Sequence, residues 1–232
     1  MAQLAQRPPP VPGDHSSRVA IETAAHGGGR LTAVVSAIAL LFSGYSLWDS
    51  SLKGPDLKVF VPPVIQYSSP YQNSNFEVVA VPVTIINDGG RTGAVLSMTL
   101  EATSAKGGPT KKFYAADFGR WTMEKTRANA YEPFAPISLA GKASRTETAL
   151  FYPKSPEEKP DQLITEPGVY KFKLILDEAS SSGPLDRVTS RKPVEASFDM
   201  ELRIWDARAF QNGTIPMYST TGRSVASGSS AP

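Results

Sequence analysis

The chain has 232 residues, 24 Lys and Arg against 22 Asp and Glu, and no cysteine. A formal charge of +2 lacks the clustered basic excess of a nucleic-acid binder. The missing thiols exclude disulfide scaffolds, thiolate metal sites and cysteine nucleophiles.

Residues 1–30 carry Pro8-Pro9-Pro10, Pro12-Gly13 and Gly27-Gly28-Gly29 with few large apolar groups, which reads as a disordered N-terminal tail. Within it, Arg18–Ala25 has the makings of only a helical turn or two. Leu31–Trp48, LTAVVSAIALLFSGYSLW, then runs for 18 residues without a charge. As a helix it extends roughly 27 Å, close to the ~30 Å hydrocarbon core of a bilayer. Tyr45 and Trp48 stand where amphipathic rings meet headgroups, and Arg30 and Asp49 bracket the run. The preceding region is too long and too rich in Pro and Gly for a secretory leader, and no small-residue cleavage site follows. The segment therefore reads as an uncleaved signal anchor, with the lipid bilayer as partner through residues 31–48. Flanking basic residues tie at two each (Arg18 and Arg30; Lys53 and Lys58), and the flush position of Arg30 against Asp49 favours an N-terminus inside. The expectation is a single-pass protein of the bacterial inner (cytoplasmic) membrane, its N-terminus cytoplasmic and its folded domain periplasmic.

Residues 49–56 read as a linker, 57–210 as one β domain, and 211–232 as a C-terminal tail, largely disordered. Period-two patterning dominates the domain. In Gly168–Asp177, Tyr170, Phe172, Leu174 and Leu176 share one face. Phe198, Met200, Leu202 and Ile204 do so in Ser197–Trp205, and Ala94, Leu96, Met98 and Leu100 in Ala94–Glu101. Phe76–Ile86 is apolar on both faces, with Pro82 pointing to an edge or a bulge. Asn87-Asp88-Gly89-Gly90 supplies residues that tolerate positive φ in a tight connection. Leu57–Val61, Lys112–Ala115, Ile137–Leu139 and Thr146–Tyr152 complete about eight strands. Such one-faced strands bury their apolar side against another sheet, which predicts an all-β antiparallel sandwich, with a barrel as the alternative.

The stretch VPVTIINDGGRTGAVLSMTLEA resembles the strand–turn–strand hairpin of bacterial immunoglobulin-like modules. ISLAGKAS (Ile137–Ser144) is similar to their I-x-L-x-x-G-x-S turn, and PGVYKFKLIL to their Gly-x-Tyr strand. The resemblance covers roughly 57–205 and implies an immunoglobulin-like fold with a binding, spacing or assembly role in the cell envelope rather than catalysis.

The only histidines, His15 and His26, lie in the N-terminal tail, so the β domain has no Ser–His–Asp or Cys–His system and no imidazole or thiolate zinc site. No catalytic residue, metal ligand or cofactor is assigned. Met98 and Met200 belong to expected core faces, leaving Met123 and Met217 as surface thioethers, too few for copper. Asp199 and Glu201 share an outward strand face about 7 Å apart, a solvated pair rather than a glycosidase pair. Residues 111–134 gather six aromatics and five cations, and Phe118, Arg120 and Trp121 are the candidate partner-binding residues. The resulting expectation is a membrane-anchored, non-enzymatic module that binds or positions an envelope protein. Cell-wall glycan is the alternative ligand, and a carboxylate-only enzyme a more distant one.

Overall fold

The structure, a computed structural model, describes residues 16–69, 77–119, 132–154, 162–179, 193–203, 214–220 and 224–227. It divides into two units, residues up to Leu47 and residues from Trp48 onward.

The first unit is a single α-helix, α1 (Ser16–Leu47). A 24-residue stretch, Gly29–Leu52, is long and apolar enough to cross a membrane, with a mean hydropathy of 1.7 and none of it buried. The helix begins at Ser16, well before Leu31. A long apolar helix supplies the nucleus, and each further residue then adds one hydrogen bond for one residue fixed. That extension runs through Gly27-Gly28-Gly29, although each glycine costs about 1 kcal/mol relative to alanine in a helix interior.

The second unit opens with a π-helical turn, Trp48–Leu52. Among the described residues twelve strands follow: β1 (Leu57–Val61), β2 (Val64–Ser68), β3 (Val78–Asn87), β4 (Gly93–Ser104), β5 (Lys111–Phe118), β6 (Glu132–Pro133), β7 (Ile137–Leu139), β8 (Ser144–Pro153), β9 (Gly168–Glu178), β10 (Val194–Leu202), β11 (Thr214–Ser219) and β12 (Ser224–Ser227). Every pairing is antiparallel. The ladders run β3–β2–β11–β10–β9–β4–β5–β8 and return from β8 to β3, closing an eight-stranded barrel. An immunoglobulin-like sandwich is therefore not the fold. Alternating strands are common to both architectures, and what separates them is whether the edges pair. Here β8 joins β3 to β5 and β11 joins β2 to β10, so no member of the ring is left with a free edge.

β1 and β2 lie along one edge of β3, pairing Phe60 with Thr84 and Gln66 with Ala80. They are one line of strand interrupted at Pro62-Pro63, which bring no N–H donors. Pro82 of β3 lies level with this interruption, so a proline is tolerated in a strand paired on both sides. Bulges between Val95 and Ser97 and between Ala115 and Asp117 bend β4 and β5 round the barrel. The first bulge also changes the facing of β4. Val95 and Met98 point inward and Leu96 is 49% exposed, against the unbroken alternation expected for Ala94–Glu101. β3 and β4 do not pair, so their connection is not a hairpin.

The interior is continuous and apolar. Tyr67, Phe113, Phe151 and Phe172 are its largest fully buried side chains, and Phe172 stacks on Phe198 directly opposite it, ring centroids 5.6 Å apart. Burying each such side chain contributes about 1.5–3 kcal/mol. Ile164, outside any strand, also lies in this core. The expected C-terminal tail contributes β11, a member of the ring, and β12, which pairs with β1; Met217 of β11 is completely buried.

Candidate functional site

Among the described residues, two buried polar side chains, Glu77 and Asn87, each anchor a hydrogen-bonded constellation. Asn87 ends β3 and Glu77 immediately precedes it, so the two stand roughly 33 Å apart along the strand, towards opposite ends of the barrel.

At the Asn87 end, three loops are tied by one side chain. Asn87 Oδ1 accepts from the N–H of Asp56 (3.1 Å) and of Gly89 (3.0 Å). Its Nδ2 donates to the carbonyls of Arg91 (2.8 Å), Ala140 (3.1 Å) and Leu139 (3.2 Å). Backbone bonds run beside it, with Gly90 and Arg91 donating to Lys53 O, and Lys142 to Gly89 O, each at 3.0 Å. Glycine is required here by close approach, not by positive φ. A Cβ at Gly89 would overlap the Gly54 carbonyl, one at Gly90 would lie 2.7 Å from Asp49 O, and one at Gly141 would overlap Gly90 O. Two ion pairs close the rim, Lys58 with Asp88 and Lys142 with Asp49 (3.0 Å). The hydrogen bond with Asp88 raises the Lys58 pKa, and the same bond holds the Asp88 carboxyl below its ordinary value. Residues 49–56, expected as a linker, are thus built into the barrel.

At the opposite end the Glu77 carboxylate is completely buried. Its Oε1 accepts from Tyr67 Oη (2.7 Å) and from the N–H of Leu163 (3.1 Å), and its Oε2 pairs with Lys111 Nζ. The bond to Leu163 fixes the segment that inserts Ile164 into the core. The same segment is held by Gln162 Nε2 donating to Ile164 O (2.9 Å) and by Tyr170 Oη donating to Glu166 O (2.8 Å). Burial first, and the nearby Glu77 charge second, push the Tyr67 phenol well above its ordinary pKa. A Tyr–Glu–Lys set has the elements of acid–base chemistry. Here, with the carboxylate sealed from solvent and three donors on it, the set acts as a latch on the capping segment.

Of the candidate binding residues, Phe118 is buried at the end of β5 against Phe134, with ring centroids 5.0 Å apart. It presents no face to a partner. Arg120 and Trp121 lie outside the described residues, as do Met123 and the rest of residues 120–131. Asp199 and Glu201 stand on the outer face of β10, opposite Lys171 and Val169, with Glu201 paired to Arg203 at 2.9 Å. Met98, Met200 and Met217 are all buried, which removes Met217 as a surface thioether. Among the described residues, no three His, Asp or Glu side chains are grouped to hold a metal ion. No local sequence motif marks Glu77 or Asn87 as a buried polar anchor. The available signal was position, because each flanks the longest apolar run of the domain, where a polar residue enters the core end-on. Comparison with known proteins gives no matching family model and no matching curated sequence.

Proposed function

We propose that this chain is a single-pass membrane protein whose β-barrel binds or positions a protein partner in the bacterial cell envelope, without enzymatic chemistry of its own. The observation that carries the reading is the Asn87 knot. The chain leaves an apolar, fully exposed helix at Leu47, and by Asp49–Lys53 it is already bonded into the barrel. Few residues separate the apolar run from the first bonds into the barrel, which leaves no long flexible linker and suits a protein whose task is placement. The barrel's buried ionisable residues support the reading, because Glu77, Tyr67 and Lys111 are spent on one another and on the backbone of Leu163.

Large side chains on the outer wall are the places to look for the partner: Leu96 (49% exposed), Tyr218 (38%) and Tyr114 (37%). A photo-crosslinking amino acid placed at each of these positions in the full chain, in cells, is expected to capture one discrete envelope protein from at least one of them. Absence of any adduct above background at all three positions counts against the proposal.

A further inference from the structure

We propose that the barrel end bearing the Asn87 knot is a lipid-contact face, on which Arg91, with Lys53 beside it, binds the phosphates of anionic headgroups. The inference rests on reading residues 31–48 as membrane-spanning.

Covalent geometry places this face. Trp48 ends the apolar run, and consecutive Cα atoms are about 3.8 Å apart. The Asp49 carbonyl and Ser50 backbone lie against Gly90, and Arg91 follows directly. Arg91 is therefore within about three Cα steps, or roughly 12 Å, of the end of the span. Each headgroup layer is itself about 5–8 Å thick. From that distance a long arginine side chain reaches back into the layer, as cationic side chains do at an interface.

The chemistry of the face fits a lipid surface. Arg91 is exposed, its side chain has no partner among the described residues, and its N–H is fixed to Lys53 O at 3.0 Å. Lys53 Nζ donates to a neutral carbonyl, Asp88 O, at 3.3 Å and makes no direct ion pair, although it lies in the field of the Asp88 carboxylate that Lys58 pairs. The carboxylates of Asp88 and Asp49 are taken up by Lys58 and Lys142, and Asp56 lies in the field of Lys58. Leu52, 60% exposed, adds an apolar group on the same turn. A planar guanidinium beside exposed apolar surface is suited to bidentate phosphate binding at an interface.

The absence of cysteine from the natural chain makes single-cysteine labelling clean. The full chain would be reconstituted in phosphatidylcholine–phosphatidylglycerol vesicles, carrying a fluorophore at Thr92→Cys beside Arg91, at Lys106→Cys in the β4–β5 turn, or at Ile38→Cys in the span. The β4–β5 turn lies roughly 35 Å away along β4. Headgroup-attached nitroxide lipid is expected to quench the Thr92→Cys label several-fold more than the Lys106→Cys label. Arg91→Gln in the Thr92→Cys background is expected to reduce that quenching. Equal quenching at the two turns, with Ile38→Cys quenched by acyl-chain nitroxide, overturns the lipid face while the span stands. Quenching at Thr92→Cys that does not respond to Arg91→Gln overturns the role of Arg91. An Ile38→Cys label that acyl-chain nitroxide does not reach overturns the span, and the proposal with it.

Discussion

A buried amide with five hydrogen-bond contacts is worth more intact than any one of those contacts suggests, because its loss strands several donors and acceptors at once. Asn87→Ala takes a partner from the N–H groups of Asp56 and Gly89 and from the carbonyls of Arg91 and Leu139, while Ala140 O keeps the Ala143 N–H. At roughly 1 kcal/mol for each group left unsatisfied, the expected loss is about 3–5 kcal/mol, read as a fall in the urea midpoint at unchanged slope. Glu77 obeys the same logic with charge added. Glu77→Gln leaves Lys111, which is only 21% exposed, without its counter-ion, and should cost about 3 kcal/mol. Replacing both partners, Glu77→Met with Lys111→Met, should cost less than the single change, since no orphaned charge remains. A double-mutant cycle by thermal unfolding decides this. The Lys58–Asp88 pair gives a pH signature. The Asp88 pKa is lowered in the folded state, so its contribution is present above about pH 4 and disappears as pH falls through the lowered value. The Lys58 pKa is raised, so its contribution is present below about pH 10.5 and disappears as pH rises through the raised value. Both side chains are at least a third exposed, which limits the pair to about 0.5–1 kcal/mol. The stability gap between the natural chain and Asp88→Asn should be constant from pH 5 to 9 and close below pH 4.

Strands β9 and β10 were legible because strict alternation over nine or more residues leaves few competing structures; the expected inward residues from Tyr170 to Leu176 and from Phe198 to Leu202 are buried, while Ile204 lies outside the described residues. β4 was legible as a strand but not in its facing, because a bulge shifts the parity of everything before it and leaves no mark in composition. β11 was not legible. Six residues containing Pro216 have little strand character alone, and it is pairing with β2 and β10 that makes them a strand. The glycines of Asn87–Gly90 were legible as a special site for the wrong reason. Residues tolerant of positive φ suggest a hairpin, whereas the demand on Gly89 comes from Gly54, 35 residues earlier, and no local pattern reports it. Gly141→Ala should therefore disrupt folding more than Gly107→Ala. The first places a methyl against the backbone of Gly90, while the second has φ +88 but open space around it. Expression and circular dichroism of the two variants should differ accordingly, Gly107→Ala folding with a loss of about 1 kcal/mol.

For the whole molecule, closure is the property that local patterns under-report. A sandwich and a barrel present the same inward and outward faces along each strand, and the difference lies in two ladders, β3–β8 and β2–β11, whose partners are distant in the chain. One consequence separates the barrel from a domain ending near residue 210. Removing residues 211–232 takes away β11, opens the ring between β2 and β10, and exposes the space filled by Ile215 and Met217. That truncation should abolish cooperative unfolding, whereas removing only residues 228–232 should leave the transition in place. The candidate partner site was the least legible feature. Phe118 looked like a recognition aromatic because it neighbours Arg120 and Trp121 in sequence, yet it ends a strand on its inward face. The apolar helix is long enough to cross a membrane, and the proposed topology puts the barrel on the far side. Fusing alkaline phosphatase, and separately a green fluorescent reporter, to the C-terminus tests it most directly. An active phosphatase with a dark fluorescent fusion is the predicted result, and a fluorescent fusion with an inactive phosphatase would contradict the account.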